Sequence, residues 1–484
     1  MKTNPLTIFC LLSILLTNLS ACADTETETE IKALSVSTST EEVTTALIDT
    51  IEKQDYNEYE FRIVSYIDPN WPQPEFSADE QTGDVLNDAI FKRNSIIEEL
   101  FNITIVTEEY PDAYNPVLQT VTAGEDAYDL ISDSVRNTMN LGLQGCLVDL
   151  QNLTNVNFDM PWWAGDYIEQ SSVAYHNFFA LCSCNIYAYD TTPIVLFNKQ
   201  MIADYNLENP YDIVSDMRWT MDTMTEMVKN VSGDLDGNGI MDLDDKYGLV
   251  GNSFISDVFL YGGDIMFVIK DENDLPQYNP DMERLNTYIE KLLKLTSSEY
   301  AYVPDRYPGV DREAAPLDAF AENRALFWAC PISALFKLRD AEVDYGIIPV
   351  PMLDEAQGHF TSYVTSYGTT LAVPITCTDS DRTGNIMEAL ALASYEIVRP
   401  AYYNITLGSK LSQDEESSNM LDTIFSSYQC DIALLLESYG MQAVRDLRDI
   451  IISETNTVAS ITAANFSAYT SMVEKAAEAA AKLD

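Results

Sequence analysis

Basic residues are scarce in this chain: 27 Lys and Arg stand against 77 Asp and Glu, a formal net charge of −50. That field excludes nucleic acid as a partner, because no basic patch could offset it, and it offers anionic ligands no general attraction. Histidine is scarcer still, with only His176 and His359. A Ser-His-Asp triad would have to use one of them, and a lone histidine is more often a bystander. No His-Glu-x-x-His, Gly-x-Ser-x-Gly or Walker loop occurs, and no Gly-x-Gly-x-x-Gly follows a strand. Internal repeats are missing too, which removes the usual signature of an adhesion or scaffold protein. Two carboxylates suffice to cleave a glycosidic bond, so a secreted glycan-active enzyme is the hardest rival to dismiss. With 77 acidic residues a carboxylate pair proves nothing, and the pattern lacks the eightfold βα run of a barrel.

Long apolar runs are likewise absent apart from residues 6–19, which follow Lys2 and have the shape of a signal-peptide core. The run ends Leu19-Ser20-Ala21-Cys22, which resembles a bacterial lipobox, with residues 1–21 removed and Cys22 acylated. Cleavage after Ala23 also fits the small-residue rule. The lipoprotein reading is preferred because residues 22–59 look like a tether. Residues 23–60 hold eleven acidic residues against Lys32 and Lys53, too polar to bury a core. Two or three acyl chains on Cys22 would anchor the chain stably to a membrane.

The remainder is long enough for two sizeable domains. Residues 61–66, 103–106 and 128–131 read as strands, separated by helical patterns at 83–101 and from Val117. Strands alternating with helices imply parallel βαβ units, an α/β architecture. Ligands of such sheets sit beyond the carboxyl ends of the strands, which places Tyr66 and Asp133 at the edge of a site. Six cysteines remain beyond Cys10 and Cys22, and sequence alone chooses no pairing among them.

Residues 234–245 match a calcium-loop template in order. Asp234, Asp236 and Asn238 take positions 1, 3 and 5, Gly239 takes the sharp turn at 6, Ile240 offers its carbonyl at 7, and Asp242 and Asp245 take 9 and 12. Asp at position 12 is shorter than the usual Glu, which lowers the expected affinity. An extended Tyr247-Gly-Leu-Val follows, so the loop joins a helix to a strand, and a structural Ca²⁺ is expected.

The stretch around that loop, LFNKQM, NPYDIV, RWTMDTM and then YGLV, resembles the bacterial extracellular solute-binding proteins of family 1, the sugar receptors of ABC importers. The resemblance implies a two-lobed, periplasmic-binding-protein type II fold, each lobe an open, mainly parallel sheet flanked by helices and joined by a hinge. Lobe 1 would comprise residues 60–187 and 370–411, and lobe 2 residues 188–369 and 412–484. The implied function is non-enzymatic: a lipid-anchored monomer on the outer face of the cell membrane captures a carbohydrate, expected to be an oligosaccharide, and presents it to permease subunits. A receptor for a peptide or another small solute is the alternative. Sugars stack on aromatic rings and are fixed by polar side chains. The residues nominated for the ligand are Tyr66, Asp133, Trp163, Trp328 and Tyr363, with Trp162 and Tyr367 as further aromatic candidates.

Overall fold

The computed structural model describes residues 47–483 except 70, 236 and 408–414. The signal peptide, Cys22 and the tether up to residue 46 lie outside the described residues. Among the described residues, no helix is long and apolar enough to cross a membrane. Residues 47–59, assigned by composition to the tether, carry two apolar anchors into the fold. Ile48 is buried, and Tyr56 stacks on Phe101 at 5.7 Å while its amide donates to the Phe101 carbonyl at 2.9 Å.

The first sheet forms from β1 (Tyr59–Tyr66), β2 (Ile103–Tyr110), β3 (Leu130–Ser134) and β12 (Thr369–Ala372), in the order β12-β3-β1-β2. β1 is parallel to both β2 and β3, whereas β12 returns antiparallel to β3. α1 (Val85–Phe101) makes the crossover. Asp84 caps it by accepting from the Leu86 and Asn87 amides, and Asn102 ends it in the left-handed region at φ 49°. Its buried Leu86, Ile90, Ile97 and Phe101 follow the helical period and cover the sheet. β2 runs four residues past the apolar Ile103–Val106 run because β1 continues to offer partners as far as Tyr66↔Tyr110. α2 (Tyr114–Ala123) and α3 (Val135–Leu143) complete this region with α4 (Gly165–Ser171).

α5 (Ile186–Thr191) leads from the first sheet into the second. The second sheet contains β4 (Pro193–Asn198), β5 (Tyr247–Val250), β8 (Ala301–Tyr302), β9 (Ala325–Pro331) and β10 (Tyr345–Ile348), in the order β10-β4-β9-β5-β8. It is mixed: β4 is antiparallel to β9 and β10, while β5 is parallel to β9 and β8. β4 and β5 are buried along their whole length, which explains their unbroken apolar sequences. Helix Met221–Lys229 lies so close to β5 that a Cβ on Gly248 would fall 2.2 Å from Val228 Cβ. Two short pairs, β6 (Val268–Lys270) with β7 (Pro276–Tyr278) and β11 (Ser362–Tyr363) with β13 (Tyr428–Gln429), lie outside the main sheets.

Candidate ligand-binding site

β1 and β3 deliver Tyr66 and Asp133 to the same end of the first sheet. Tyr66 meets Tyr187 edge-on, with ring centroids 5.3 Å apart. The Tyr187 hydroxyl donates to the Trp71 carbonyl at 2.7 Å and accepts from the Asp68 and Gln73 amides, so the loop after β1 is tied to α5. Asp133 is fully buried. It accepts from the Ser134 amide at 2.7 Å and from Asn137 Nδ2 at 3.1 Å, yet burial pushes its carboxyl up to about 7.

Two further residues complete this end. Arg136, in the first turn of α3, lays its guanidinium over the Tyr367 ring at 4.2 Å. Among the described residues, its buried Nε has no hydrogen-bond partner. Tyr367 is 47% exposed and is held in place by the next residue, since the Val135 amide donates to the Gly368 carbonyl at 2.9 Å. Gly368 permits this approach: a Cβ there would fall 2.3 Å from Val364 Cγ1. Burial first, then the charges of Asp68 and Asp133, raise the Tyr66 phenol to about 12, and Arg136 and Tyr367 are close enough to act on it too. A half-buried cation on an exposed ring, next to a buried carboxyl and a second tyrosine, can stack a flat apolar face and bond the hydroxyls around it.

The other nominated residues are elsewhere. Among the described residues, no ring contact or hydrogen bond joins Trp163, Trp328 or Tyr363 to Tyr66 or Asp133. Trp163 borders a separate cavity of about 1200 Å³, together with Tyr175, Tyr395, Arg399, Phe425 and Tyr428. Its indole nitrogen donates to Glu388 Oε2 at 2.9 Å, and that of Trp162 donates to Glu388 Oε1 at 3.0 Å. Both indoles are buried, so the tandem pair clamps a carboxylate on helix Ser380–Ala393. Glu388→Ala would leave two buried N–H donors unsatisfied, each costing about 1–3 kcal/mol. A fall in melting temperature of several degrees is expected, measured by calorimetry. Trp328 lies within β9, between Leu196 and Val250, with its ring 5.8 Å from Phe320. Tyr363 is buried on β11 with its ring 4.5 Å from Tyr261. Of the histidines, His176 Nδ1 meets Asp149 Oδ2 at 3.0 Å, and His359 Nδ1 meets the Gln357 carbonyl at 2.7 Å.

The acidic loop is pinched at its base by the Gly233↔Lys246 bridge. Asp234 accepts from the Gly237 and Gly239 amides at 2.6 and 2.7 Å, and both glycines have the positive φ that the tight turns require. From the other end Asp245, buried, accepts from the Leu235 and Asp242 amides at 2.7 and 2.8 Å. Asn238 accepts from Ile240, and Asp242 from Asp244. Asp236 lies outside the described residues, and among those described no group of three or more His, Cys, Asp or Glu side chains could hold a metal ion. The donors are all oxygen and the first and twelfth carboxylates fold into the same loop, so the residues fit a hard cation in chemistry.

These two sheets, with their crossovers and a return strand, define a two-lobed substrate-binding fold. The chain belongs to the bacterial extracellular solute-binding proteins, whose family profile matches residues 94–397. Similar solved structures include a sugar transporter from Rhizobium etli in an open conformation, with TM-score 0.56, 13% identity, and 87% of this chain and 98% of that one covered. A family 1 extracellular solute-binding protein from Alicyclobacillus acidocaldarius superposes with TM-score 0.54 at 9% identity, covering 88% and 98%. A solute-binding protein from Thermotoga lettingae, bound with α-D-tagatose, gives TM-score 0.51 at 14% identity, covering 87% and 100%. At these identities the likeness establishes the fold. No curated protein matches the chain.

Proposed function

We propose that this chain is the carbohydrate receptor of an ABC importer, tethered outside the cell by acylated Cys22, and that it hands its ligand to permease subunits without making or breaking a bond. The observation that carries this reading is the group formed by Tyr66, Asp133, Arg136 and Tyr367 at the strand ends, which combines ring faces with hydroxyl-directed polar groups. The sugar and α-D-tagatose named for the structural neighbours support the ligand class. An oligosaccharide is preferred to a monosaccharide because the chain is rich in tyrosine. Ligand would draw the two lobes together by a hinge motion, and the closed form would dock on the permease.

Thermal unfolding of the full chain against a panel of mono- and oligosaccharides tests this. A ligand at 100 times its dissociation constant adds about 2.7 kcal/mol, enough for a shift of several degrees. A shift with one sugar class and no new product on chromatography supports a receptor. Product formation would make the protein an enzyme, and a shift with peptides alone would change the ligand class.

The loop at residues 234–245 is proposed to hold one Ca²⁺ through Asp234, Asp236, Asn238, the Ile240 carbonyl, Asp242 and Asp245, stapling helix Met221–Lys229 to β5. Chelator should lower the melting temperature by several degrees, and added Ca²⁺ should restore it. Asp234→Ala should abolish both responses. Equal calcium responses in the variant and the parent would reject the assignment.

A further inference from the structure

We propose that the ligand is an acidic carbohydrate, and that the N-terminus of α3 receives one of its carboxylates through the Arg136 guanidinium and the Ser134 hydroxyl. This rests on the reading of Tyr66, Asp133, Arg136 and Tyr367 as the ligand site, and narrows it from carbohydrates to those that contain a uronic acid.

The first observation is a cation without a counter-charge. Several arginines of this chain are claimed by carboxylates: Arg62 by Asp126 and Asp129, Arg445 by Glu437 at 3.0 Å, and Arg448 by Asp257. Arg136 is not. Among the described residues its side chain makes no ion pair and no hydrogen bond, and it rests only on the Tyr367 ring. Asp133, three residues earlier, does not pair with it. Both Asp133 oxygens accept from Asn137 Nδ2 at 3.1 Å, and Oδ1 also accepts from the Ser134 amide. The Arg136 Nε is enclosed, but the two terminal nitrogens are not closed off from solvent, so a ligand can reach them. In a chain of net charge −50, a partly buried guanidinium held off every carboxylate is a loss that an arriving anion recovers.

The second observation is independent of the first. Ser134 stands at the N-cap of α3 and is only 3% exposed, yet its hydroxyl does not cap the helix. Among the described residues that hydroxyl has no hydrogen-bond partner at all. A serine in this place normally accepts from an amide of the first turn. Left uncapped, the first turn keeps the partial positive charge that draws anions to helix N-termini. The hydroxyl therefore stands beside the turn that carries Arg136, with its own bonding capacity unused.

The arrangement suits one flat monoanion. The guanidinium fork can meet both oxygens of a carboxylate side by side, and the exposed Tyr367 ring can take the apolar face of the sugar that bears it. A dianionic phosphate would bring twice the charge towards Asp68 and Asp133, whose charges already reach Tyr66. Burial pushes the Asp133 carboxyl up to about 7, so near neutrality part of it carries its proton and repels a single carboxylate less.

The test titrates the full chain by calorimetry with oligogalacturonates, oligomannuronates and glucuronate-containing oligosaccharides, each beside its methyl ester, together with neutral sugars and sugar phosphates. One uronate series should bind, and esterification should weaken it about a hundredfold. Arg136→Gln should cost the acid about a hundredfold and the ester about threefold or less, so that acid and ester no longer differ much. Arg136→Lys should recover part of the acid's affinity, and Ser134→Ala should lose about tenfold. If Arg136→Gln does not fold, the comparison of acid with ester in the parent decides alone. A neutral sugar or an ester bound as tightly as any of the acids, or sugar phosphates bound in place of uronates, would overturn the proposal and leave the carbohydrate reading standing. Binding of no sugar, acidic or neutral, would remove that reading and this proposal with it.

Discussion

Arg136→Ala is expected to weaken carbohydrate binding by ten- to a hundredfold while leaving the melting temperature of the free protein almost unchanged. The guanidinium rests on Tyr367, and among the described residues its Nε has no hydrogen-bond partner, which leaves that donor for a ligand if the site lies here. One charge-assisted hydrogen bond contributes about 1.5–3 kcal/mol, and each 1.4 kcal/mol is about tenfold in affinity. Arg136→Lys keeps the charge but loses the flat fork that stacks on the ring, so it should recover only part of the affinity. Tyr367→Ala removes the exposed platform and should cost a similar factor. Calorimetric titration of each variant with the sugar that most stabilises the parent checks this. Affinities within twofold of the parent for both alanine variants would move the site elsewhere.

The second large effect is on stability against pH. Besides Asp257, four fully buried carboxyls are raised by burial: Glu75 and Asp133 to about 7, Asp190 and Asp431 to about 6. Their ordinary values are 4.5 for Glu75 and 3.8 for the three aspartates. The folded state therefore binds these protons more tightly than the unfolded chain. That contribution is fully present below the unfolded values and is lost as pH rises through 6 to 7. A shift of two to three pKa units corresponds to about 3–4 kcal/mol for each group, so the sum is on the order of 10 kcal/mol. Self-repulsion of the acidic chain acts in the same direction. Carboxylates held below their ordinary range, such as Asp55, Asp271 and Asp311, are exposed, and their stabilisation disappears only in stronger acid. Maximum stability is therefore expected near pH 4, with a lower melting temperature at pH 8. Glu75→Gln keeps one oxygen to accept from Thr369 and the Tyr187 amide, can donate its amide to Ser132 Oγ and cannot ionise, so it should flatten the decline. An equal decline in parent and variant would mean that Glu75 does not contribute.

Much of the scaffold was readable because it obeys simple periods. Residues 61–66 alternate and residues 83–101 repeat at helical spacing, and both became the elements expected, within two residues at their starts. The ends of β1 and β3 followed from the rule for open sheets, which is why Tyr66 and Asp133 fall together. The aromatic nominations were placed less well, for a physical reason. β9 is buried on both faces, so its sequence ALFWACP does not reveal where Trp328 points. Trp162 and Trp163 are committed to Glu388, a partner more than two hundred residues away that no local pattern marks. Arg136 was missed, although a signal existed: a basic residue three positions after a strand-end aspartate, in a chain with few of them, calls for a partner. The surroundings of Glu75 have no comparable signature, because they are assembled from β3, β12 and α5.

A structure of the chain with its most stabilising sugar bound tests the central claim most directly. The account predicts the sugar beyond the ends of β1 and β3, stacked on Tyr66 or Tyr367, with a hydroxyl within hydrogen-bond distance of the Arg136 guanidinium. Sugar seated only in the cavity beside Trp163 and Tyr175, with Arg136 untouched, would contradict it.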